Sequence, residues 1–463
     1  MQKDRAFLEK EPVEKLLLRL ALPTVIAQLV NMLYNIIDRI YIGHMPGDGA
    51  MALTGVGVCM PLIMAVSAFA ALVSAGGAPR ASIFMGRKDQ DTAEKILGNC
   101  FSLLLVMSAV LTCLLLVFNR ELLLLFGASE QTIGYAAAYM RIYAAGTVFV
   151  QLTLGLNMFI TAQGFAKISM MTVLIGAILN IVLDPLLIFT LHLGVEGAAL
   201  ATLLAQAVSC VWCLMFLLGK KTTLRIRKEK MRMERRILVP CILLGMAQFI
   251  MQVTESVIQV CFNSSLLKYG GDIAVGAMTI CTSTMQFALL PMTGVGQGAQ
   301  PIASYNYGAK KGVRVRETFR LLLKVNLVYS FLLYLILMLF PAGFARIFSE
   351  DPELIAYSAR ALRIYCAVLC IFGVQMACQQ IFTSIGYAGC SIIVALVRKA
   401  VLLIPLIYLL PALGILGDRA MDVYLAEPMA DTLAISFTAI LFRFQFRKAM
   451  NRLEEKKGDG VPA

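Results

Sequence analysis

Asn180 and Asp184 lie inside an apolar run that extends from about Ile168 to Leu193. Four residues apart, they share a face if the run is helical. Pro185 follows directly. It has no N–H to give, which predicts a kink and a freed carbonyl at the same spot. An Asp at the centre of a membrane-length helix costs roughly 2.5–3.5 kcal/mol to insert. A charge kept at that cost points to an ion or proton site, with a structural hydrogen-bonding node as the plainer reading. The first apolar run adds Asp38, three residues after Asn35 and fifteen after Pro23, and the spacing recurs as Pro240, Gln252 and Glu255. Each set places an amide and an acid on nearly one helix face. Glu255 is well inside its run and needs a partner or water. Asp38 is nearer an end and has Arg39 beside it, where a surface pair competes.

Tyr139, Asn157 and Thr202 add hydroxyl and amide oxygens to the same half of the chain. Oxygen donors beside carboxylates suit Na⁺, a hard cation like Ca²⁺ and Mg²⁺. The carboxylates would serve a proton relay equally well, and spacing does not choose between the two ions. Taken singly, Tyr139 and Thr202 also read as packing hydrogen bonders. Arg398 and Lys399 open a late apolar run. They read as cytoplasmic-edge anchors that snorkel, with a role as counter-ions to Glu255 as the alternative. Other chemistry finds little support. Cys210-x-x-Cys213 falls in an apolar run without a second pair, His44 and His192 fall in loops, and no H-E-x-x-H occurs. No cofactor is expected beyond a coupling ion.

The elements that must carry these residues are membrane helices. Of 463 residues, 59% are hydrophobic and 15% charged, too apolar for an ordinary soluble domain. The apolar residues fall in runs of about twenty or more. We read an all-α integral membrane protein of about twelve spans: 16–41, 51–78, 93–118, 133–161, 167–191, 195–219, 237–266, 272–300, 317–340, 354–384, 391–411 and 425–446. This divides the chain into a six-helix lobe at 1–219, a basic cytoplasmic connector at 220–236, a second six-helix lobe at 237–450 and a charged cytoplasmic tail at 451–463, read as disordered. No cleavable signal peptide is read at the N-terminus. The net charge of +13 sits in alternate loops, which is a topology signal and not a nucleic-acid footprint. Basic residues mark Arg80 to Lys95, the connector, Lys310 to Arg320 and both termini. Acids such as Asp48, Glu196, Glu350 and Asp351 mark the opposite loops. Both termini are therefore expected in the cytoplasm of a multi-pass protein of the cytoplasmic (inner) membrane.

The halves repeat. Gly76, Pro79, Ala81, Ser82, Gly86 and Lys88 recur 222 positions later as Gly298, Pro301, Ala303, Ser304, Gly308 and Lys310, and Arg141-Ile142-Tyr143 recurs as Arg363-Ile364-Tyr365. Six spans repeated head to tail keep one orientation. Two pseudo-symmetric lobes flanking a cleft are the plan of an alternating-access transporter. Twenty-five methionines and twenty-five phenylalanines suit a cleft that accepts many shapes.

Tyr34-Asn35-Ile36-Ile37-Asp38, Leu179-Asn180-Ile181-Val182-Leu183-Asp184-Pro185, the Gln300–Lys310 stretch and Ala426-Glu427-Pro428-Met429-Ala430-Asp431 resemble the multidrug and toxic compound extrusion (MATE) transporters, the bacterial DinF- and MepA-type branch in particular. The resemblance spans nearly the whole chain. It implies a monomeric antiporter exporting small organic cations and amphipathic drugs against inward H⁺ or Na⁺. It carries the cation site onto Asp38, Asn180, Asp184 and Thr202, with Tyr139 and Asn157 in the network. Glu255, with Gln252 beside it, matches a second-lobe acid of another branch, as a coupling or substrate group. A lipid-linked oligosaccharide flippase of the same plan is the alternative and would need Arg or Lys in the cleft for pyrophosphate. A membrane-embedded enzyme would need a nucleophile–base pair or a metal motif.

Overall fold

The computed structural model describes residues 7–45 and 49–458; Asp48, one of the acids used for topology, lies outside them. Among the described residues, nine helices are long and apolar enough to cross a bilayer, and two bent pairs bring the number to eleven. One of the nine, Arg235–Gly308, is itself two helices, because Gly271 breaks it at φ 65° and ψ −162°. Only glycine adopts that backbone without strain. Twelve crossings result.

We number them α1 (Val13–Gly43), α2 (Gly49–Gly86), α3 (Gln90–Val117), α4 (the pair Ile133–Ala145 and Thr147–Ala162, bent by 57°), α5 (Ala166–Pro185, prolonged by a π-helical turn Leu186–Thr190) and α6 (Gly194–Leu218). The second lobe holds α7 (235–270), α8 (272–308), α9 (Gly312–Leu339), α10 (the pair Pro352–Tyr365 and Leu369–Ser384, bent by 51°), α11 (Ala388–Leu413) and α12 (Arg419–Gly458). The kink expected at Pro185 is instead a widening. The chain stays helical through the proline, and the next turn closes with a Leu191 N–H to Leu186 carbonyl bond of 3.0 Å, the wide register of a π bulge. The tail also differs from expectation over 451–458, while 459–463 lie outside the described residues. α12 continues as helix to Gly458, because its Arg316–Glu454 ion pair of 2.7 Å and the burial of Met450 and Leu453 tie it to α9.

The repeat read in the sequence becomes local geometry. Lys88 and Lys310 both take positive φ, 64° and 57°. At each, the following N–H reaches back five residues, Asp89 to Phe84 and Lys311 to Asn306. This is the left-handed close of a helix C-terminus. Asp89 then caps α3, and its bonds to the Thr92 side chain and N–H hold its carboxyl below the usual carboxylate range.

Glycines of the repeat join the lobes. A Cβ on Gly298 of α8 would stand 2.5 Å from the Ala21 backbone of α1, and one on Gly76 of α2 would collide with the Cys241 carbonyl of α7. Gly86 meets Tyr305, and Gly308 meets Ile83, in the same way. Thr24 and Gln28 of α1 add bonds to the Gly294 carbonyl (2.6 Å) and the Gln297 side chain (3.1 Å) of α8. These contacts lie toward the ends that carry the basic loops. Beyond them, α1 and α7 turn polar side chains outward: Asn31 and Asn35 on one, Gln248, Gln252, Glu255 and Gln259 on the other. Such stripes belong in a water-lined cleft and not against lipid. Gly298→Leu is therefore expected to open the joined end, lengthening spin-label distances across it and lowering thermal stability. Unchanged distances would show that the contact is not what holds the lobes.

The connector is not a loose tether. Gln163 Oε1 accepts from the Thr222 hydroxyl and the N–H groups of Thr223 and Leu224 at 2.8–2.9 Å. Lys230 pairs with Glu94 of α3 at 2.8 Å.

Candidate functional site

α1, α4, α5 and α6 bring the first-lobe residues together. Asp184 is fully buried, Asn180 is 1% exposed and Tyr139 4%. The helical spacing puts Asn180 one turn above Asp184, and its amide nitrogen reaches Asp184 Oδ1 at 3.3 Å and Thr202 Oγ1 on α6 at 3.4 Å. Tyr139, on the first arm of bent α4, is in hydrogen-bond contact with Thr202. Asp38 of α1 stands against Asp184, while Arg39 points to the exposed side. The surface-pair reading of Asp38 thus gives way to an internal acid pair.

The arrangement leaves acceptors without donors. Asp38 Oδ1, Asp184 Oδ2 and Asn180 Oδ1 are all buried with no hydrogen-bond partner. Three lone-pair oxygens from two helices, with two carboxylates in contact, demand a positive charge. A proton shared by the acids or a Na⁺ among the oxygens would supply it. Residues of this kind fit a hard monovalent cation. No group of three or more metal-binding His, Cys, Asp or Glu side chains occurs among the described residues, so a divalent or transition-metal centre finds no such ligand set.

Beside this pair lies a cavity of about 170 Å³. Gln28, Asn31, Tyr34, Asn157, Thr202 and Gln206 are among the residues that line it, and none of its lining side chains is charged. Asn157 therefore serves the cavity and not the carboxylates. Its amide nitrogen bonds the Ser169 carbonyl at 3.3 Å, and its oxygen is left without a donor. Asn180 belongs to both, lining the cavity on one side and holding Asp184 on the other. The floor is made by small residues, Gly176, Ala177, Ala205 and Ser209. A Cβ on Gly176 would already sit 2.7 Å from Ser209 Oγ. Gly176→Leu is expected to fill the space, weakening equilibrium binding of a fluorescent substrate while leaving ion binding at the acid pair intact. Undiminished binding would place substrate elsewhere.

The second lobe differs. Arg398 and Lys399, expected to snorkel at the membrane edge, are only 8% and 7% exposed as side chains. A π-helical turn of α11, Val397–Leu403, carries them inward. Arg398 bonds Glu427 at 3.1 Å and Asp431 at 2.6 Å, both on α12, and lies 4.8 Å above the Phe372 ring. Lys399 reaches Glu255 of α7 at 2.7 Å, where the Glu255 side chain stays 53% exposed on the cleft. Snorkelling lost because acids were available inside. Glu427 and Asp431 were not singled out from the sequence as charge partners. Their spacing of four in the last apolar run, the same as Asn180 to Asp184, was the signal. Gln252 lies one turn from Glu255 on the same cleft-facing stripe. Cys210 and Cys213 are buried free thiols.

The profile of the MatE family matches twice, at residues 23–186 and 248–409, once in each lobe. The multidrug export protein MepA of Staphylococcus haemolyticus (strain JCSC1435) is 25% identical over 429 residues, covering 93% of this chain and 94% of that protein. A crystal structure of MATE in the bent conformation superposes with a TM-score of 0.90 at 24% identity, over 96% of this chain and 98% of the other. An outward-facing multidrug resistance MATE family transporter superposes at 0.88, with 24% identity, over 96% and 99%.

Proposed function

We propose that this chain, which belongs to the MATE family, is a multidrug exporter that exchanges organic cations and amphipathic drugs for H⁺ or Na⁺ by alternating access. The observation that carries this reading is Asn180, one side chain shared by a cation-demanding acid pair and an uncharged polar cavity. The relatives named for multidrug export support the substrate class.

Asp38 and Asp184 bind the ion together from α1 and α5. With the site filled, their repulsion is gone and α1 is drawn onto α5. With it empty, the like charges push the helices apart. Tyr34 and Gln28 ride on α1 and line the cavity, so movement of α1 reshapes the substrate site. Ion and substrate thereby prefer different shapes of one cavity, the condition for exchange. The electronegative pair next to a neutral cavity attracts cations without binding them irreversibly. The flippase reading needs free cations in the cleft, and its two candidates, Arg398 and Lys399, are both neutralised by acids. We place the protein as a monomer in the cytoplasmic membrane, with both termini and the joined end of the lobes facing the cytoplasm, on the distribution of loop charge.

The test is efflux of a fluorescent organic cation from cells expressing the chain, with proton and sodium gradients collapsed in turn. Export that stops with one gradient supports the exchange and identifies its ion. Absence of export from well-expressed protein would overturn the substrate class.

A further inference from the structure

The 222-residue repeat aligns the lobes position by position, and hydrogen bonds confirm the register. Asn157 and Thr161 bond Ser169 in the first lobe. Their equivalents Gln379 and Thr383 bond Ser391 in the second. In that register, cavity-floor residues Gly176, Ala177, Ala205 and Ser209 correspond to Arg398, Lys399, Glu427 and Asp431. The neighbours agree as well. Gly176 faces Ser209 and Ala205, and Arg398 faces Asp431 and Glu427. The space that is a cavity in one lobe is filled by a charge cluster in the other.

That cluster does not balance. Lys399 answers Glu255, whose remaining surface opens on the cleft. Arg398 bonds two acids at once, with the side chains of Arg398, Glu427 and Asp431 8%, 6% and 5% exposed; counted with Lys399 and Glu255, two cations stand against three acids. Lys399 and Glu255 also act on Glu427, with opposite signs, and the remaining titratable groups facing the acids are the Tyr365 phenol and the Cys366 thiol of α10. Both are neutral when protonated and supply no positive charge. A net negative charge in this closed interior is expensive unless something cancels it. The triad is closed to a bulky cation, and only the smallest fits between side chains already in contact.

We propose that the second lobe holds a proton-binding site, in which Glu427 and Asp431 share one proton across Arg398. The site is separate from the Asp38–Asp184 pair and goes beyond the exchange reading. It stands whether the exchanged ion is H⁺ or Na⁺.

The test is infrared spectroscopy of the purified full chain in lipid, with Asp38→Asn and Asp184→Asn removing the first-lobe acids. This parent is expected to show the carbonyl stretch of a neutral carboxylic acid, shifting in D₂O. Glu427→Gln and Asp431→Asn, each added singly, are both expected to remove that band, because one acid against one guanidinium needs no proton. Either change also lifts the surplus charge, so thermal stability should hold. Circular dichroism and size-exclusion profiles identify any variant that has lost its fold. A parent without the band, or a band that survives either substitution in folded protein, would overturn the shared proton.

Discussion

Asp184→Asn is expected to abolish gradient-driven export while leaving expression and substrate binding near wild type. The amide keeps the size of the carboxyl, so the packing of a fully buried side chain survives. What it loses is charge. With Asn at 184, Asp38 faces a neutral neighbour, and loading or unloading an ion no longer switches repulsion between α1 and α5 on and off. A coupling free energy of about 1–3 kcal/mol would vanish, and with it about 5–150-fold in the ion's effect on substrate affinity. Asp38→Asn should do the same, and the double variant should be no worse than either, because the two acids act as one unit. The measurement is efflux of a fluorescent cation, read beside equilibrium binding with and without the ion. Normal export by Asp184→Asn, with export lost in Glu255→Gln, would move the coupling to the second lobe.

The largest effect on stability is expected at Arg398. Arg398→Met leaves Glu427 and Asp431 buried without their guanidinium, and removing one partner of a buried ion pair costs about 3–5 kcal/mol. A steep fall in Tm and poor recovery from detergent should follow. Lys399→Met should cost less, because Glu255 is half exposed and water in the cleft can hydrate it. Neutralising the whole triad, as Arg398→Met with Glu427→Gln and Asp431→Asn, should recover most of the lost stability, since no charge then remains without an answer. The ranking is checked by thermal melts of the four proteins side by side. Equal losses for Arg398→Met and Lys399→Met would mean that the cleft does not wet Glu255.

Both predictions turn on side chains whose types were visible from the start but whose partners were not. The apolar runs alone gave twelve crossings, because a bilayer admits few other backbones. The repeat of Gly76 and Gly86 as Gly298 and Gly308 foretold two like lobes. The same glycines then proved to be where the lobes touch, since a backbone can approach that closely only where no Cβ intervenes. Asn180 and Asp184 could be paired on spacing, because a helix fixes what lies one turn apart. Asp38 could be suspected from its spacing to Asn35, but that it meets Asp184 depends on how α1 packs on α5.

Arg398 and Lys399 show the limit most clearly. At the start of an apolar run, two long cations read as snorkelling, and nothing local contradicts it. Whether they turn outward or inward depends on a π-helical turn in α11 and on distant acids, 29 and 33 residues further along the chain for Arg398 and 144 residues earlier for Lys399. The cavity likewise has no sequence signature, being a space left where small residues of α5 and α6 meet. The sequence by itself determined the helices, their number, the doubling of the lobes and the internal place of Asp184, because these follow from periodicity, apolar length and the expense of charge in lipid. Only the tertiary structure decided which charges answer each other and why one lobe keeps a cavity while the other is filled. Those outcomes depend on side chains from separate helices converging within a few ångströms.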